Sequence, residues 1–188
     1  MAAAENEGID LANVSGGIYT ISSAGDHKFT CSRETENRIM VDGKGISPED
    51  SINIYLNKVN INTSTGPALR INVNVKATVT IYLTGTNNLI TKHTWYAGLQ
   101  KVNTALLIIT TNVSDTTAGI LNAHGSSDGD GAGIGGGLSG SCSNITIESC
   151  SVIASSKYGA GIGGGKQGAG SKITINSASV NASSTNGT

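Results

Sequence analysis

The chain has 188 residues, of which 13% are charged and 4% aromatic, with a formal net charge of -1 and a sequence pI of about 6.3. Charge is roughly half the usual quarter of a globular chain and has no basic surplus, which argues against a nucleic-acid surface. No apolar run approaches the ~20 residues of a membrane span, which argues against membrane insertion.

Taken in order, Met1–Glu7 lacks the apolar stretch of a signal peptide. Gly17-Ile18-Tyr19-Thr20-Ile21-Ser22 alternates apolar and polar residues and predicts a first short strand; 28–31 and 38–41 predict two more. Between them, 32–37 is the densest charge cluster and reads as a solvated turn. Asp42-Gly43-Lys44-Gly45 and Ser47-Pro48-Glu49-Asp50 are turn chemistry. Residues 1–50 are therefore expected to form an irregular N-terminal cap with the first short strands, and 51–188 a series of repeat rungs.

From Ser51 the repeat emerges. Residues 52–61 lie over 173–182 without a gap, apolar on apolar at 52/173, 54/175, 59/180 and 61/182. Leu69, Leu99, Ile134 and Ile162 follow equivalent turns at spacings of 30, 35 and 28 residues. The last two sit in an exact duplication, Gly-Ala-Gly-Ile-Gly-Gly-Gly at 131–137 and again at 159–165. Spare residues are expected in polar loops such as 114–117 and 126–129. A unit of this length cannot bury its apolar face alone, so neighbouring units must stack on it.

Rungs of 28–35 residues holding short strands, with no helical period, predict an all-β fold. It is a right-handed, single-stranded parallel β-helix, a solenoid with one long thin core. Ile54, Ile81, Ile147 and Ile175 should form an inner ladder, and Asn53, Thr80, Thr146 and Thr174 an outer one, with rungs about 4.8 Å apart. Gly187-Thr188 fall where a further turn is expected, so the chain reads as part of a longer protein or as ending in a rung that another chain covers.

Tyr19-Thr20-Ile21, then 79–87, then Tyr96-Ala97-Gly98-Leu99-Gln100, then the two glycine-rich rungs, resemble the glycine-rich β-helix repeats of large microbial surface and secreted proteins, often labelled carbohydrate-binding domain-containing. The resemblance covers the chain from about Gly17 onward. It implies a secreted or cell-surface β-helix in a stalk or adhesin, and supplies no catalytic residues.

Motifs of other chemistries weigh less. Both glycine runs fit G-x-G-x-x-G, yet a strand follows where dinucleotide binding needs a helix N-terminus. Gly165-Lys166-Gln167 lacks the Ser or Thr of a phosphate loop. Asp128 and Asp130 resemble half a calcium loop, but no later bidentate acid completes it; calcium is the one weak metal candidate, and no cofactor is expected. His27, His93 and His124 are scattered, and no nucleophile elbow accompanies the many serines. Cys31, Cys142 and Cys150 allow at most one intrachain disulfide, and buried free thiols are favoured.

The repeat register brings one constellation together. Two positions before the aligned Ala97, Ala132 and Ala160 stand Trp95, Asp130 and Tyr158, which predicts an indole and a phenol on one edge about 10 Å apart with a carboxylate between. Aromatic faces with polar neighbours suit sugar rings. Trp95, Tyr96, Tyr158, Asp130, His93 and Lys92 form the expected ligand edge, the competing reading being that Trp95 and Tyr96 fold down over a rung. The outer threonines raise ice binding, which Ile153 in the neighbouring row interrupts. Sequons at Asn13, Asn62, Asn112, Asn144, Asn181 and Asn186 are as many as this composition yields by chance. The expectation is a non-enzymatic adhesin or stalk contacting a glycan or surface protein. The alternatives are a purely structural, self-associating spacer and a polysaccharide lyase or glycoside hydrolase of the β-helix type.

Overall fold

The computed structural model describes residues 8–187, so the Met1–Glu7 stretch and Thr188 read above lie outside the described residues. Strand pairing is parallel throughout, and the strands stack into three faces of a β-solenoid. The first face holds Ile9–Asp10, Gly25–Thr30, Ser51–Asn57, Thr78–Thr84, Leu107–Thr111, Cys142–Glu148 and Gly170–Asn176. The second holds Ile18–Ile21, Arg38–Val41, Leu69–Ile71, Leu99–Lys101, Ile134–Gly135 and Ile162–Gly163. The third holds Asn60–Thr63, Thr86–Thr91, Ile120–His124, Ser151–Ser156 and Ser179–Ser184. Each full rung runs from first face to third to second before stepping up. Among the described residues no helix is long and apolar enough to cross a membrane.

Strand alternation explains the core. In Ser51–Asn57, Ile52, Ile54 and Leu56 are buried while Asn53 and Tyr55 point outward. Ile54 pairs with Ile81, Ile81 with Ile109, Ile109 with Ile147 and Ile147 with Ile175, the expected inner ladder with Ile109 filling its gap. The outer row Asn53–Thr80 continues through Ile108 before Thr146 and Thr174, so an isoleucine interrupts its hydroxyls. On the second face, Leu69, Leu99, Ile134 and Ile162 form the column expected from the turn alignment, and Ile39 extends it by one rung.

Residues 9–41 are more regular than the expected cap. Gly25–Thr30 pairs in parallel along its length with Ser51–Asn57, and Arg38–Val41 with both Ile18–Ile21 and Leu69–Ile71. Only the third face is thin there, reduced to the single bridge of Thr35 to Ile61. The charged stretch 32–37 hid this continuity by breaking the apolar alternation.

In four rungs the bend from first to third face uses one left-handed residue, Lys58 at φ 54°, Gly85 at 61°, Ser149 at 49° and Ser177 at 49°, whereas the rung of Leu107–Thr111 bends through the longer loop 112–119 without one. Only glycine adopts that conformation without a steric penalty. Beside this bend Asn87 occupies an inner, fully buried position. Its Oδ1 accepts from Val59 N at 2.9 Å, and its Nδ2 donates to the Thr84 and Gly85 carbonyls at 3.2 and 3.1 Å, so the polar group is satisfied inside the core. The three thiols are free; Cys142 and Cys150 are buried. Burial pushes the Cys150 thiol up to about 11.

Candidate functional site

The predicted ligand edge lies on the bend from the third face to the second. Thr91, at the end of its strand, donates its hydroxyl to the Gly66 carbonyl at 2.7 Å and accepts from His93 N at 3.1 Å, which fixes the start of the bend. His93 Nδ1 accepts from Trp95 N at 3.3 Å, so in the neutral ring the proton sits on Nε2. The His93 ring then packs edge-on to Trp95 at 5.6 Å and tilted on Tyr96 at 4.6 Å. Trp95 stays 57% exposed. The indole is therefore braced through the backbone and the imidazole while its surface stays open.

One rung on, Asp130 N donates to the Thr94 carbonyl at 2.6 Å, and two rungs on Tyr158 N donates to the Gly129 carbonyl at 3.2 Å. The register that aligns Trp95, Asp130 and Tyr158 is thus held by main-chain bonds. The Asp130 and Tyr158 side chains are engaged with lysines that the sequence did not assign to this edge. Lys166 Nζ lies 3.2 Å from Asp130 Oδ1 and 4.9 Å from the Tyr158 ring centre, and Lys157 Nζ lies 5.1 Å from the same ring. Lys157 also donates to Asp128 at 2.7 Å, which holds that carboxyl below its usual range and raises the lysine. Tyr158 is accordingly faced by two ammonium groups from its own chain, and the open aromatic surface on this edge is Trp95. Asp128 and Asp130, the calcium candidates, each hold a lysine. Among the described residues no three His, Cys, Asp or Glu side chains gather as a metal shell.

Lys92 is set apart from the aromatic group. It lines a shallow groove of about 530 Å³ with Thr94, His124, Ser126, Asp128 and Ser155. His124 Nδ1 and Ser155 Oγ lie 2.6 Å apart there, on paired positions of the third face, and burial lowers the pKa of the imidazole. The other feature that sequence reading missed is on the first face, where the Tyr55 and Tyr82 rings stack at 4.7 Å and 14°. Its signal was present in Ile54-Tyr55-Leu56 and Ile81-Tyr82-Leu83, aligned one rung apart. No known protein family, curated protein or solved structure matches the chain.

Proposed function

We propose that the chain is a non-enzymatic β-helix module of a secreted or surface protein, a stiff rod whose Trp95 edge contacts a glycan. The observation that carries this reading is the braced, open indole: an aromatic plane held by His93 with polar groups around it suits the C–H face and hydroxyl rim of a pyranose. Asp128 and Asp130, the carboxylates of this edge, are tied to lysines, which suits them to positioning rather than to proton transfer. The unbroken inner ladder supports the rod, since successive strands share backbone hydrogen bonds along three faces.

Trp95 is the single tryptophan, so its fluorescence reports the site directly. On a glycan array the folded wild type is expected to select one sugar class, and that sugar should quench or shift the indole emission. Trp95→Ala should lose at least tenfold in affinity while its circular dichroism stays unchanged. No binding by the folded wild type would return the chain to the spacer reading.

A further inference from the structure

We propose a second, separate binding site on the first face, a groove that takes a linear, β-linked amino-sugar oligomer of about three units through its free ammonium groups.

The groove, about 840 Å³, runs along the coil axis between two outward rows of side chains. One row is Lys28 and Tyr55, with the Lys28 ammonium 5.9 Å from the Tyr55 ring centre; Tyr82, beyond the groove's lining, stacks on Tyr55 from the next rung. The other starts at Asp10 and continues through Thr30, Asn57 and Thr84, each paired with the next on adjacent strands. Asn112 extends it, its amide donating to Thr84 Oγ1 at 3.4 Å. The backbone at Phe29 and Leu56 forms the floor, and Asp10 and Asp115 stand toward the two ends.

Three properties of this groove select the ligand. The first is length: from Thr30 to Asn112 is three rung steps, about 14 Å at ~4.8 Å per step, and an extended β-linked pyranose chain advances about 5 Å per unit. An extended peptide, at roughly 3.3 Å per residue, would fall out of step with the rungs. The second is alternation: hydroxyl, carboxamide, hydroxyl, carboxamide along Thr30, Asn57, Thr84 and Asn112 repeats every two rungs, as does a chain whose successive sugar units are flipped. Thr and Asn supply both donors and acceptors for sugar hydroxyls.

The third is charge. Asp10, Asp26 and Asp115 line the groove against the single ammonium of Lys28. Hydrogen bonds from Ser32 hold Asp10, and those from Thr117 hold Asp115, below the usual carboxylate range, so both remain charged for a cationic ligand. Opposite charge lining a cleft raises the local concentration of such a ligand. The phenol stack faces its rings along the axis, so it offers its edges and hydroxyls rather than a flat platform to an oligomer lying in the groove.

The test is calorimetric titration of the full chain with β-1,4-linked glucosamine trisaccharide, with the fully N-acetylated trisaccharide as neutral control. The cationic trimer is expected to bind at least tenfold more tightly than the neutral one and to weaken as sodium chloride rises. Asn57→Ala, at an exposed position, and Asp115→Asn, a half-buried and isosteric change, should each lower affinity several-fold with folding unchanged. Trp95→Ala should leave this binding intact, which separates it from the glycan edge. Absence of binding by the folded wild type, equal affinity for the two trimers, or unchanged affinity in both groove variants would overturn the proposal.

Discussion

Between Ser51 and Thr111 the interior of the coil is filled by large side chains, whereas between Gly131 and Gly170 glycine corners, foreshadowed at Gly98, meet their neighbours backbone to backbone. The first region fills its interior with Ile52, Ile54, Leu56, Val79, Ile81, Leu83, Leu107 and Ile109, all buried. In the second, a methyl group placed on Gly131 would run into the Tyr96 carbonyl below, and one on Gly133 would lie 2.7 Å from the carbonyls of Ala123 and Gly161. One coil thus uses two packing materials. Interdigitated side chains tolerate a shape change at the cost of a cavity, while main chains in contact leave no room for any side chain.

Substitutions should separate the two. Gly131→Val puts a branched side chain against main-chain atoms that cannot move independently, so loss of cooperative folding is expected, read as a collapsed thermal transition; a variant with native-like stability would refute backbone contact as the packing principle there. In the side-chain region, Ile81→Ala leaves a hole in a column buried on both sides. It should cost about 2–5 kcal/mol by urea denaturation, yet leave a folded protein.

The smallest effect tests the junction. Lys101 continues the inner column Val41–Ile71, buried at 1% exposure, and its ammonium donates to the Asn103 and Ser143 carbonyls at 2.8 and 2.7 Å, tying the aliphatic rungs to the first glycine-rich one. Burial lowers its pKa to about 8. The unfolded chain holds this proton up to about pH 10.4, so between the two values the unfolded state binds more protons and stability rises with pH. The thiols act oppositely from about pH 8.5, because burial raises the folded pKa of Cys150, Cys142 and Cys31 and the unfolded chain ionises first. Read from pH 7.5 to 9, the wild type should therefore gain about 1 kcal/mol relative to Lys101→Met, whose own stability falls over this range as the thiols ionise in the unfolded chain. Parallel profiles in the two proteins would remove Lys101 as the cause.

Much of the coil was legible because parallel in-register stacking writes each inter-rung contact into the sequence as a period. The pairs 52/173, 54/175 and 61/182 are joined by unbroken chains of strand pairing through the intervening rungs. The division into three faces was not legible, since four of the bends turn on single left-handed residues of three types, Lys58, Gly85, Ser149 and Ser177 sharing a dihedral rather than a residue type, and the bend at 112–119 uses none. At the site the same arithmetic aligned Trp95, Asp130 and Tyr158. It could not show Lys157 and Lys166 over Tyr158, because long side chains reach across rungs by rotamer choice, which no period records. The Tyr55–Tyr82 row lay in the same alignment but at its outward positions, where apolar periodicity carries no signal.

The glycine-packed corners have a genetic consequence. Where neighbouring corners touch mostly through main-chain atoms, each presents nearly the same docking surface, and a 28-residue segment such as 131–158 also brings its own inner residues Ile134, Ile145, Ile147 and Val152, so a tandem copy stacks on a matching rung. The repeated heptad at 131–137 and 159–165 has the form such a copying event would leave. Lengthening the rod by this route would alter its reach while leaving its two proposed binding surfaces untouched.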